Sequence, residues 1–126
     1  MDNLWLLTEE RPKLSVVLRI LDEYNNDFDV TVTVNENFNI KPIVRNGKFT
    51  FEYLLEGVSV QGIANVFIEI VSGNSSFVDY MLIRQEAKPT DHSLDNVLMA
   101  IEETKTSDAE SRNTGIYQRA SKSVYI

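Results

Sequence analysis

The sequence predicts an α+β fold with a mostly antiparallel β-meander, and three observations lead to this prediction. Residues 11–24 show the apolar spacing of a helix buried on one side, carried by Leu14, Val17, Leu18 and Leu21. Several segments rich in β-branched and aromatic residues follow, separated by turn-forming residues. A polar segment with apolar residues four positions apart comes last. Helix, strands and helix in this order are typical of α+β proteins.

The predicted strands are defined by composition and by the turns between them. Residues 29–34 and 49–55 have strand composition, with turns expected at residues 35–37 and at Asn46-Gly47. Residues 64–71 and 77–83 flank a short polar loop, so we expect them to pair with each other. A further strand is predicted over residues 97–106. The second helix is expected over residues 108–124, where Ile116, Ala120 and Val124 share one stripe.

Length and composition indicate one folded domain over residues 1–126. The chain is 43% hydrophobic and 25% charged, which is too apolar for a disordered protein. Trp5 with its leucine neighbours is interpreted as a core or oligomer contact. The sequence has neither an apolar run long enough to span a membrane nor the pattern of a secretory signal, so we expect a cytoplasmic protein with no membrane partner.

The few residues available for metal chemistry narrow the choice of ion. The chain has no cysteine and only one histidine, His92, which we interpret as a solvent-facing loop residue. Any metal must therefore be held by carboxylates, which favours Mg2+, with Mn2+ as a substitute. The formal charge of −7 disfavours a general nucleic-acid binder. From Lys105 onward, however, the chain carries a net charge of +2.

The candidate site lies on two of the predicted strands. Alternation puts Asp79 in an apolar row with Met81 and Ile83. On the later strand, it puts Glu103 and Lys105 in one row with apolar residues of that strand. A lone buried carboxylate is costly, and coordination of a cation removes that cost. If the strands are neighbours, Asp79, Glu103 and the Thr104 carbonyl form a metal site beside the Lys105 amine.

Simpler interpretations of the same residues remain open. Glu103 and Lys105 fit an ordinary surface ion pair, and Asp79 fits a residue hydrogen-bonded to the backbone of the preceding loop. Glu69 is either a third ligand or an ion-pair partner of a nearby cation, and we leave it out of the ligand set. Three further cations fit either contacts with DNA phosphates or a solvated helix face: Arg112, Arg119 and Lys122.

Asp79, a gap of 23 residues and then Glu103-Thr104-Lys105 after an apolar strand resemble the motif of the PD-(D/E)XK nuclease superfamily. The following segment, ETKTSDAESRNTGIYQRASK, looks most like type II restriction endonucleases. The resemblance covers residues 66–126 and implies a restriction-endonuclease-like core of helix, three-stranded meander, helix and final strand. It departs from the family at Val78, where proline is frequent, and at the final strand, which has barely begun at Ile126.

The resemblance implies an activity, a cofactor and partners. Asp79 and Glu103 would be metal ligands, Lys105 the catalytic lysine, and the reaction Mg2+-dependent cleavage of double-stranded DNA by a homodimer. Because the final strand is cut short, we expect a domain that is incomplete at its C-terminus. Two alternatives remain: a repair, recombination or phage nuclease of the same fold, and a non-catalytic β-rich binding or assembly module.

Overall fold

The computed structural model describes residues 1–71, 79–89 and 97–101, together with the backbone of residues 116 and 117. Within these ranges it shows an α+β fold, with one helix on a mixed sheet. The elements in chain order are β1 Asp2–Thr8, α1 Leu14–Phe28, β2 Val32–Arg45, β3 Lys48–Val60, β4 Ile63–Ile70, β5 Tyr80–Gln85, β6 Val97–Ile101 and the two-residue β7 Ile116–Tyr117. The strand order across the sheet is β2-β3-β4-β1-β5-β6-β7.

Strand β1 lies near the middle of the sheet, and the sequence did not predict it. It pairs in parallel with β4 and antiparallel with β5. Leu4, Trp5, Leu6 and Leu7 are all buried, so the core interpretation of this segment is confirmed. A strand covered on both faces shows no alternation of apolar and polar residues, which is why periodicity misses it.

The position of β1 overturns the predicted pairing of residues 64–71 with 77–83. The β1 backbone separates β4 from β5 and occupies the hydrogen-bonding edge of each. Two side-chain rows cross these strands in register. The Ile68–Leu6–Leu82 row packs under α1, and the Phe67–Trp5–Ile83 row packs on the opposite face.

Helix α1 confirms the predicted first helix, with its buried face turned relative to the prediction. Val17 and Leu21 are buried as expected, but Leu14 and Leu18 are largely exposed. Ile20 and Tyr24 take their places against the sheet. The i, i+3, i+4, i+7 spacing also fits this second set, so spacing alone cannot choose between the two faces.

The β2–β3 hairpin confirms one predicted turn and corrects another. Asn46 and Gly47 have φ values of 54° and 75°, the left-handed geometry that an Asn-Gly hairpin turn requires. Residues 35–37, predicted as a turn, instead lie inside β2, at a register irregularity between Val34 and Asn39. The Asn35 side chain accepts a hydrogen bond from the Asn37 backbone N–H, so the turn-forming chemistry produces a bulge.

The C-terminal elements are described only in part. Strand β6 pairs antiparallel with β5, so the two strands of the candidate site are neighbours as predicted. Ile116 and Tyr117 pair with β6, which corrects the predicted helix at these two residues. The remainder of that predicted helix lies outside the described residues. No helix in the described ranges combines the length and apolar character needed to cross a membrane.

Candidate functional site

Asp79 lies immediately before β5 and is exposed, which corrects the prediction of a buried carboxylate in an apolar row. The chain bends at Asp79, and β5 begins only at Tyr80. The row of Met81 and Ile83 belongs to the apolar cluster opposite α1, whereas Met99 and Ile101 of β6 lie on the α1 face. Strict alternation would therefore send the Asp79 row and the Glu103 row to opposite faces of the sheet.

Because Asp79 precedes β5, the alternation of that strand does not fix its direction, and Asp79 lines a groove. The groove has a volume of about 430 Å3 and is open to solvent. Besides Asp79, it is lined by Tyr80 and by residues from the end of β1 to the first turn of α1: Thr8, Glu9, Glu10, Arg11, Pro12, Lys13 and Val16. Tyr80 and Val16 both pack with the α1-side core. Asp79 thus borders the side of the sheet to which the Met99 and Ile101 row belongs.

The segment between β1 and α1 gives this groove its shape and polarity. Thr8 is buried, and its hydroxyl donates a 2.8 Å hydrogen bond to the Glu10 carbonyl, which fixes the turn out of β1. Helix α1 then starts without a side-chain cap and without an acidic residue in its first turn. Arg11 lies over the Tyr53 ring, 5.4 Å from its centroid. The groove therefore combines carboxylates, two cations and a helix N-terminus, the end of a helix that favours anions.

The β5–β6 register relates Asp79 to the described end of β6. Tyr80, the residue after Asp79, pairs directly with Ile101, two residues before Glu103. The start of β5 and the last described residue of β6 therefore lie side by side at one end of adjacent strands. Glu103, Thr104 and Lys105 themselves lie outside the described residues, as do Arg112, Arg119, Lys122 and His92.

A second charged cluster, which the sequence pattern did not single out as a unit, lies on β3 and β4. Glu52 and Glu69 face each other across the two strands. The Lys88 ammonium is 3.4 Å from Glu52 Oε2 and 3.6 Å from Glu69 Oε2, and Arg45 Nη1 is 3.5 Å from Glu52 Oε2. This agrees with the interpretation of Glu69 as an ion-pair partner. In the sequence, this cluster could have been found from the single acid in each of two predicted apolar strands, Glu52 in residues 49–55 and Glu69 in residues 64–71.

The Glu52–Glu69–Lys88 cluster contains two carboxylates and an amine, but its geometry is that of a structural ion-pair network. Glu52 is only 4% exposed, and cations already contact both acids. A divalent ion would have to displace Lys88 from a position where it balances two negative charges. Among the described residues, no group of three or more acidic, histidine or cysteine side chains has the geometry to hold a metal.

Another groove, of about 670 Å3, lies between α1 and the start of β2. Asp22 and Glu23 line it. Burial, followed by repulsion from Asp27 and Asp22, raises the pKa of Glu23. Arg19 also lines this groove and lowers that pKa, so the groove carries two carboxylates and one cation.

Comparison with known proteins adds no assignment to this geometry. No family model, curated protein or solved structure matches the chain.

Proposed function

We propose that this protein is a Mg2+-dependent endonuclease that hydrolyses DNA phosphodiester bonds, of the restriction type. The observation that carries the proposal is the pairing of Tyr80 with Ile101. This register places Tyr80 beside Ile101 at one end of adjacent strands. In the proposal, Asp79 on one side and Glu103, Thr104 and Lys105 on the other meet at that end. The exposure of Asp79 supports a ligand role, because a carboxylate at the border of a groove is accessible to a hydrated ion.

The groove beside Asp79 supports a phosphodiester as substrate. Arg11 and Lys13 line it, and the uncapped N-terminus of α1 offers backbone N–H groups. Cations and free N–H groups at a helix N-terminus are the usual partners of phosphate oxygens. In this proposal these groups bind and orient the DNA backbone, while Glu9 and Glu10 restrict how closely it approaches.

The site residues divide the chemistry between binding the ion and handling the water. Asp79 and Glu103 would hold Mg2+, with the Thr104 carbonyl as a further oxygen ligand; when bound, the ion supplies Lewis acidity to the phosphate. Lys105 orients the attacking water, assists loss of its proton and offsets charge on the phosphate. A homodimer would supply two such sites, one for each strand of double-stranded DNA. Arg112, Arg119 and Lys122 would contact phosphates near the cut.

The proposal is tested by nicking of a supercoiled plasmid. We expect cleavage with Mg2+, no cleavage with EDTA, and a rate at least about 100-fold lower for Lys105→Ala, because general acid-base and electrostatic assistance are lost together. Asp79→Asn should have a comparable effect. The matched control is Glu36→Gln, which neutralises an exposed carboxylate within β2, far along the sheet from β5. Cleavage that persists in EDTA and in Lys105→Ala contradicts the proposal.

The substrate separates a restriction function from a repair or recombination function of the same fold. A restriction-type enzyme should cut linear and supercoiled duplexes at the same sites. Preferential cutting of branched or frayed DNA would assign the protein to the second class. Complete absence of metal-dependent cleavage on all three substrates would favour the non-catalytic binding or assembly module.

A further inference from the structure

The tip of the β2–β3 hairpin extends beyond the part of β3 that pairs with β4. Strand β3 pairs with β4 only from Glu52 to Leu54. Residues 43–51 of the hairpin therefore have no partner strand among the described residues other than each other. We call residues 41–51, on both sides of the Asn46-Gly47 turn, the hairpin arm.

The hairpin arm exposes large aromatic side chains. Phe49 is 75% exposed and Phe51 is 71% exposed, the two highest values among the aromatic residues in the described ranges. Val44 pairs directly with Phe49 and is also exposed. Single exposed apolar residues are common, but here two large rings two residues apart are exposed on one projecting ribbon.

The hairpin arm is also basic. It contains Lys41, Arg45 and Lys48 and no acidic residue, although the whole protein has a formal charge of −7. Arg45 and Lys48 pair across the ribbon next to the turn. Arg45 contacts Glu52 and Lys41 contacts Glu56, but both cations remain 61% exposed. Lys48 forms no ion pair with any residue that the structure describes.

The edge of the arm disfavours strand addition by a second copy of this chain. Strand β2 is the edge strand of the sheet, so its outer hydrogen-bonding groups face solvent. Pro42 lacks a backbone N–H, and β2 pairs irregularly with β3 between Pro42 and Val44. Proline, irregular pairing and lysine on an edge strand are features that prevent edge-to-edge pairing. The occupant must therefore be recognised through side chains.

We propose that the hairpin arm binds single-stranded nucleic acid, with unpaired bases stacking on Phe49 and Phe51 and with Lys41, Arg45 and Lys48 contacting the phosphates. Exposed aromatic rings beside cations are the combination by which proteins bind single strands without sequence preference. The charge contrast between the arm and the acidic remainder of the chain favours a polyanion that approaches at the arm. The inference rests on the proposed nuclease function for its choice of DNA as the polyanion, but binding by the arm requires no cleavage.

Fluorescence anisotropy with a labelled 20-nucleotide oligo-dT in EDTA tests this inference. We expect Phe49→Ala/Phe51→Ala to raise Kd about tenfold or more, because stacking on each ring is lost. Lys48→Ala should flatten the dependence of log Kd on log salt by about 0.7, the contribution of one phosphate contact to a single strand. The matched control is Leu18→Ala/Val34→Ala, which removes two exposed apolar side chains outside the arm and should leave Kd unchanged.

The outcomes distinguish this inference from the proposed function. If the phenylalanine variant keeps its circular dichroism spectrum and binds oligo-dT within twofold of the parent, the arm is not the binding surface, whatever the cleavage assay shows. The same holds if that variant changes the sedimentation coefficient while Kd is unchanged, because the arm then contacts a second copy. Arm-dependent binding without any Mg2+-dependent cleavage would support the arm and overturn the nuclease.

Discussion

Lys88→Met is expected to lower the free energy of unfolding by about 2 to 3 kcal/mol, because the buried Glu52 and the partly buried Glu69 then face each other without the cation that contacts both. Removing one partner of a fully buried ion pair costs more, about 3 to 5 kcal/mol. The smaller value applies here because Lys88 is 44% exposed and because Arg45 continues to contact Glu52. Urea unfolding followed by circular dichroism measures the difference.

Two companion variants assign that loss to charge. Lys41→Met breaks the exposed pair with Glu56 and should cost at most about 1 kcal/mol, the usual value of a surface pair. Adding Glu52→Gln and Glu69→Gln to Lys88→Met should restore most of the lost stability, since neutral amides do not repel each other. Equal losses for Lys88→Met and Lys41→Met would show that the cluster does not stabilise the fold in this way.

Gly57→Ala is expected to destabilise the protein by about 2 to 4 kcal/mol, because backbone strain adds to a steric clash. Gly57 has a φ of +76°, and a Cβ there would lie 2.6 Å from the Phe38 backbone nitrogen and 2.7 Å from its Cα. Backbone atoms cannot rotate away as a side chain does. The bulged part of β2 would have to move away from β3. This movement would disturb the paired segments of β2 and β3 on both sides of the bulge.

Gly47→Ala provides the matched control for Gly57→Ala. Gly47 has nearly the same φ, +75°, but a Cβ there would meet nothing within 4 Å. We therefore expect only the cost of the left-handed conformation, about 1 to 2 kcal/mol. The difference between the two unfolding free energies measures the clash alone. A Gly57→Ala protein as stable as Gly47→Ala would mean that β2 shifts without loss at this bulge.

The parts of the fold that the sequence predicts are those with a local cause. The Asn46-Gly47 turn follows from the backbone freedom of its own two residues, and α1 follows from its own periodicity. Strand β1 does not, because its Leu-rich segment is buried on both faces and its partner strands β4 and β5 lie far along the chain. The predicted pairing of β4 with β5 is wrong for the same reason, since nothing between them reveals that β1 lies there.

The sequence predicts which two strands carry the candidate site, but it does not predict which way their side chains point. Antiparallel β5 and β6 follow from two apolar segments with a polar connection. The direction of Asp79 does not, because a bend of one residue before β5 changes the face that it borders. The four-residue spacing of Ile116, Ala120 and Val124 predicts a helix, but residues four apart also share one face of a strand. Ile116 and Tyr117 form such a strand beside β6.

Calorimetric titration with Mn2+ tests most directly whether Asp79 and Glu103 hold one divalent ion. The account predicts that the parent binds the ion and that Asp79→Ala and Glu103→Ala each abolish binding, while Glu36→Ala leaves the affinity unchanged. An affinity that is the same in the parent and in Asp79→Ala, or a parent that binds no Mn2+ at all, would contradict the shared metal site and the nuclease function built on it.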